Sequence, residues 1–145
     1  MSFVLIDIDH TLSDAAWRDP MIGGEGGWDA YHAASISDEA ATDIVALADA
    51  MKAQGHEVIG LTARPEKWRK LTMEWMLNNR VFLDEILMRP DEAFHPAPEL
   101  KMTLARERFG EKLENVLFVL DDRDDVAAVF RGAGITVLQV HGRKY

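Results

Sequence analysis

The chain has 145 residues, 48% hydrophobic and 28% charged, the composition of one ordinary globular domain rather than a disordered or repetitive chain. A formal charge of −9 excludes broad nonspecific attraction to a polyanion, while leaving room for recognition of one phosphorylated end. The absence of cysteine excludes disulfides, thiol catalysis and cysteine-ligated metals, and no stretch resembles a membrane span or signal peptide, so the cytoplasm is the expected location.

The first element is the apolar run FVLI, which reads as a central parallel strand ending at DIDHT. Residues i and i+2 of a strand share a face, so Asp7 and Asp9 are expected to converge beyond its end. Two such carboxylates repel unless a cation or a shared proton relieves them. Residues 12–37 then form an irregular stretch that holds WRDPMIGGEGGWDAYH, with four glycines in five positions; it reads as a flap or substrate-binding loop. Trp28 and Tyr31 within it are placed either to stack on a terminal base or to pack the loop on the core, and packing is the simpler reading.

Ser37, Asp38 and Glu39 suit a helix start, with Ile44, Leu47, Ala48 and Met51 at helical spacing and Gly55 at the stop. A strand through Val58, Ile59 and Leu61 follows, with Thr62 and Arg64 just past it and a helix expected over 65–79. Trp68 and Trp75 on that helix read as packing residues. A short strand at 85–88 ends at Arg89, which either approaches a substrate phosphate or forms a surface ion pair. The next helix, 98–110, carries Lys101 in its first turns. The last unit is an apolar strand, an acidic turn with Asp121 and Asp122, a helix through Phe130 and a final strand. Asp124 and Asp125 suit the first turn of that helix.

Regular alternation predicts an α/β fold: a doubly wound, mostly parallel five-stranded sheet with helices on both faces, in one domain over 1–145. Such sheets place their sites beyond the carboxyl ends of the strands, which brings Asp7, Asp9, Thr62, Arg64, Asp121 and Asp122 together. Acids at two strand ends favour an oxygen-liganded cation, most economically magnesium. Lys101, Arg64 and Thr62 are candidates to hold a phosphate beside it. His10, His32, His56, His95 and His141 show no metal-binding spacing.

This ordered set resembles the haloacid dehalogenase-like phosphohydrolases. Asp7, Asp9 and Thr11 in DIDHT fit their Asp-x-Asp-x-Thr motif, Thr62 in LTAR the second motif, Lys101 the lysine motif, and Asp121 and Asp122 in VLDD the acidic motif. His10 stands where the family commonly has glycine. MRP at 88–90, ELKMTLARERF at 99–109 and LFVLDDRDDVAAVFRGAGITVLQV at 117–140 further resemble the 3′-phosphatase domain of bacteriophage polynucleotide kinase/phosphatase, and the similarity extends weakly back through GWDAYH.

That resemblance implies a core with a minimal cap and magnesium-dependent removal of 3′-phosphates from DNA or RNA ends, or from nucleoside 3′-monophosphates. It implies Asp7 as nucleophile, forming an aspartyl-phosphate, and Asp9 as acid/base, with Thr62 and Lys101 holding phosphoryl oxygens. Asp7, Asp121, Asp122 and the backbone carbonyl of Asp9 would hold the metal, and Thr11, Arg64, Arg89 and Arg123 the substrate. Without a GxxxxGK[ST] phosphate loop no kinase activity is expected, so a separate kinase or ligase in the same pathway is a candidate partner. The rival readings are a small-metabolite or nucleotide phosphatase of the same superfamily, and a noncatalytic phospho-acceptor signalling or nucleic-acid-end-binding module. The Asp7–Asp9 pairing favours turnover over signalling, because a switch needs no acid/base beside its phosphorylated aspartate.

Overall fold

A computed structural model describes residues 1–143. Five parallel strands form the central sheet: β1 (Phe3–Ile6), β4 (Glu57–Pro65), β5 (Glu85–Arg89), β6 (Val116–Arg123) and β7 (Val137–Arg143), in the order β5-β4-β1-β6-β7. Two further strands, β2 (Ser13–Asp14) and β3 (Glu39–Ala40), pair antiparallel and pinch together the two ends of the segment between them. The chain winds outward from β1 to β5, then returns across β1 to build β6 and β7. Right-handed crossovers therefore place helices on opposite faces before and after that return, and leave a crevice at the carboxyl end of β1.

Strand parity fills both faces. Val4, Ile6 and Ile8 point to one, where Ala48 of α2 (Thr42–Ala53) and Trp75 and Met76 of α3 (Arg69–Asn78) complete the packing. Leu5 points to the other, beside Met102, Ala105 and Phe109 of α4 (Ala97–Phe109) and Val126, Ala127 and Phe130 of α5 (Asp124–Gly132). Each fully buried aliphatic or aromatic side chain contributes roughly 1.5–3 kcal/mol by leaving water. Asp7 and Asp9 continue the parity of Leu5, which is why the strand that anchors the core also delivers its carboxylates beyond the sheet.

Two expectations are corrected. The first helix of the core begins at Thr42 rather than at Ser37, because Asp38 is drawn inward to a buried arginine and Glu39–Ala40 is taken into β3. The stretch at 12–37 is not irregular: it holds 3-10 turns at Ala16–Met21 and Ala34–Ser37 and the short helix α1 (Gly27–Ala33). Gly26 and Gly27, at φ 84° and 50°, allow the sharp entry to α1. Elsewhere the expected elements stand within a few residues. α4 carries Pro98 in its first turn and stops at Gly110, and Trp75 is buried with Trp68 half-buried.

Candidate active site

A cavity of about 590 Å³ opens at the carboxyl end of the sheet, lined among others by Asp7, Asp9, Thr62, Arg64, Lys101 and Asp122. The backbone N–H of Asp7 donates to the Leu120 carbonyl at 2.9 Å, extending the β1–β6 pairing by one residue and fixing Asp7 opposite the acidic end of β6. Lys101, buried in the first turns of α4, donates to Asp7 Oδ1 at 2.8 Å and Asp121 Oδ2 at 2.6 Å. Thr11 Oγ1 donates to the other Asp7 oxygen at 3.0 Å.

Asp7, Asp121 and Asp122 are buried, and each offers a carboxylate oxygen within 4.8 Å of the others. Three carboxylates against one ammonium leave an excess of buried negative charge. Burial, then Asp121, with a further contribution from Asp122, push the Asp7 carboxyl well up despite the opposing Lys101. Burial would discharge Lys101, but Asp121 and Asp7 outweigh it and hold the ammonium above its ordinary range. An all-oxygen donor set short of positive charge suits a hard divalent cation, so these residues fit magnesium. Such a cation reverses the pressure on Asp7 and favours its ionised form.

Asp9 is relieved differently. Arg18 and Arg64 each place a guanidinium nitrogen 2.6 Å from the same Oδ1. Burial alone would raise this carboxyl, but Arg64 and Arg18 overwhelm it and hold Asp9 far below the usual carboxylate range. The two aspartates of DIDHT thus line one cavity with separate counterions. Arg18 is fully buried, pairs with the buried Asp38 through two nitrogens, donates to the Tyr31 carbonyl and lies 4.3 Å above the Tyr31 ring.

Sequence reasoning missed Arg18 and Asp38. The only signal was an arginine and an aspartate flanking the glycine-rich stretch, and Asp38 read more naturally as a helix cap. His10 adopts φ 65°, the left-handed region that explains the usual glycine there, and its buried side chain lies 3.1 Å from Asp19.

Most of the expected substrate contacts also engage the protein itself. Thr11 does not line the cavity; its hydroxyl is spent on Asp7 from behind. Tyr31 lines the cavity but is 4% exposed, with Arg18 over its ring and Trp28 edge-on, so its faces are already covered. Arg89 donates to the carbonyls of Ala63, Ala93 and His95 rather than forming the surface ion pair. Arg64 lines the cavity, pairs with Asp9 and Thr72, and keeps a buried Nε without a partner. Arg123 lines it too and pairs with Asp125. Thr62 Oγ1 accepts from the Arg64 N–H at 3.1 Å. Trp28, 59% exposed, remains open at the cavity wall.

The profile of a family described as the polynucleotide kinase PNKP phosphatase domain matches residues 1–145. The chain belongs to this family. It is a phosphatase domain of the haloacid dehalogenase class, and the five-stranded sheet is the fold of that class. Among solved structures, chains of the Pnkp1/Rnl/Hen1 RNA repair complex are similar at 27% identity over 99% of this chain and 42% of theirs, with a TM-score of 0.82. A second structure of that complex gives 26% identity, 99% and 45% coverage, and a TM-score of 0.80. This PNKP phosphatase domain therefore spans less than half the length of those chains. A predicted phosphatase from Clostridium acetobutylicum shares the fold, at 15% identity over 97% of this chain and 85% of that one, with a TM-score of 0.74. No curated protein matches the chain. Among the described residues no helix is long and apolar enough to cross a membrane.

Proposed function

We propose that the chain is a magnesium-dependent polynucleotide 3′-phosphatase that works through an aspartyl-phosphate on Asp7. The observation that carries this reading is the match of a PNKP phosphatase family to the whole chain, supported by the meeting of Asp7, Asp9, Thr62, Lys101 and Asp121 at one sheet edge. The likeness to chains of an RNA repair complex supports nucleic-acid ends as the substrate class. It also supports other RNA repair proteins as candidate partners, in line with the separate kinase or ligase expected from the sequence.

Asp7 attacks phosphorus in line and takes the phosphoryl group, breaking the bond to the sugar oxygen. Bound by Asp7, Asp121, Asp122 and the Asp9 carbonyl, magnesium would supply positive charge against the phosphoryl oxygens. Lys101 and Thr62 hold those oxygens, and Lys101 orients Asp7. Asp9 delivers a proton to the departing sugar oxygen and then removes one from the water that hydrolyses the acyl phosphate.

The clamp of Arg18 and Arg64 keeps Asp9 ionised before substrate arrives, which suits its base role. Its acid role needs the clamp loosened. An incoming phosphate dianion competes for Arg64, whose Nε has no partner, and so restores proton affinity to Asp9 as the leaving oxygen comes within reach.

The test is a comparison of kcat/KM on 3′-phosphorylated DNA, 3′-phosphorylated RNA, the matched 5′-phosphorylated oligonucleotides and a panel of phosphometabolites. The expected preference is for a 3′-phosphorylated end. A preference for a metabolite or a 5′-phosphate by about tenfold or more, about 1.4 kcal/mol, overturns the reading. The charge of −9 predicts few extended backbone contacts, hence weak salt dependence and acceptance of short oligonucleotides.

A further inference from the structure

Beyond the phosphate end, the cavity has an aromatic wall that the chemistry does not use. Trp28 on α1 is 59% exposed and lines the cavity, yet it is held from two sides. It stacks on His32 at 5.8 Å and 24°, and meets Tyr31 edge-on at 5.4 Å and 86°. Phe94 lines the same cavity and is 89% exposed.

An exposed ring of this size on a loop is ordinarily a loss to solvent, and this loop is braced. Arg89 donates to the carbonyls on both sides of Phe94, to Ala93 at 3.2 Å and His95 at 2.7 Å. The Trp28 ring and the backbone that carries Phe94 are therefore pre-positioned, which lowers the entropy cost of using them.

A third feature also points to a ligand. His32 is 6% exposed and lines the cavity, and its buried Nδ1 has no hydrogen-bond partner. Buried polar atoms are rarely left unpaired without a functional or solvent partner. Burial lowers the imidazole to about 4, so it is neutral near pH 7 and offers a hydrogen bond without adding charge. A cavity of about 590 Å³ is also far larger than a phosphate needs and is of the size that holds a small organic ligand.

We propose that Trp28, His32 and Phe94 form a nucleobase subsite that holds the base of the nucleotide carrying the scissile phosphate. Stacking works for every base, because each has a π-face, so this subsite selects a base-bearing end without reading its identity. It also explains how a chain with net charge −9 holds a nucleic-acid end: affinity comes from one stacked base in place of a run of backbone contacts. The inference rests on the 3′-phosphatase reading.

The experiment compares two 3′-phosphorylated oligonucleotides, identical except that one ends in an ordinary nucleotide and the other in an abasic residue. The parental protein, W28A, F94A and the conservative W28F are assayed on both. Trp28 and Phe94 are exposed, so these variants keep the core intact. W28A and F94A are expected to lose about tenfold or more in kcat/KM on the base-bearing end, about 1.4 kcal/mol, mainly through KM. They should lose less than about twofold on the abasic end, and W28F should stay near parental. Equal losses on both substrates, or no loss on either, overturn the subsite while leaving the 3′-phosphatase reading intact. A parental protein that hydrolyses neither oligonucleotide but turns over another phosphomonoester overturns that reading and the subsite with it.

Discussion

Lys101 and Asp7, 94 residues apart in the chain, meet at 2.8 Å in the buried centre of the cleft, where the same ammonium also holds Asp121. One cation thus ties the first strand of the sheet to its acidic neighbour and stands against a carboxylate cluster that exceeds it in charge. Lys101 is for this reason both a phosphate-holding candidate and a structural tie.

Replacing Lys101 by methionine separates these roles. Removing one partner of a buried ion pair typically costs about 3–5 kcal/mol, so K101M should be strongly destabilised in chelator. Magnesium should recover part of that loss, because the cation offsets the same carboxylates. Denaturant unfolding with and without magnesium measures it, and identical stability of K101M in both conditions contradicts the metal assignment.

Activity should vanish on chelation and return with magnesium, with zinc a poor substitute at an all-oxygen site. Metal analysis of chelated protein checks this directly. Full turnover by metal-free enzyme would rule out the site of Asp7, Asp121 and Asp122.

The two aspartates of DIDHT should fail differently. Under the proposed mechanism D7N removes the nucleophile and should fall to background on every substrate. D9N removes proton transfer, which contributes typically about 10²–10⁴-fold, and should slow a 3′-phosphorylated oligonucleotide far more than an activated aryl phosphate. Near-parental turnover in purified D7N sinks the mechanism.

Arg18 holds two carboxylates, so R18M leaves Asp38 buried without its cation and should cost about 3–5 kcal/mol. R18M/D38N should recover part of this. Where Asp9 loses one of its two cations, its proton affinity rises, so the alkaline limb of the kcat/KM profile, which reports the protonated general acid, should move to higher pH in the double variant. An unmoved limb would show that Arg18 serves packing alone.

His32 makes stability depend on pH. Its folded value of about 4 lies below the unfolded value near 6.5, so the unfolded chain takes up a proton that the folded chain refuses. Stability should fall as pH drops from about 6.5 to about 4, by roughly 3 kcal/mol at most. H32Q should flatten this slope in denaturant titrations across that range.

Much of this protein is local in origin. The parity of FVLIDID sets which side chains enter the core and sends two carboxylates past the strand end, and Pro98 with Gly110 bounds the helix that carries Lys101. Parallel alternation then determines the sheet edge at which Asp7, Thr62 and Asp121 gather, since connections of one handedness allow few alternatives. The pairing of charges has no such local code. Asp38 has the sequence context of a helix cap, yet a buried guanidinium twenty residues away outcompetes the helix start, because an unpaired Arg18 in the interior would cost far more than a lost cap. Likewise, only tertiary packing decided that Asp7 and Asp9 take separate counterions, that Arg89 braces the Phe94 loop and that the Thr11 hydroxyl is spent on Asp7. Each of these depends on which side chains meet across the fold, and interactions between residues far apart in the chain leave no periodic trace along it.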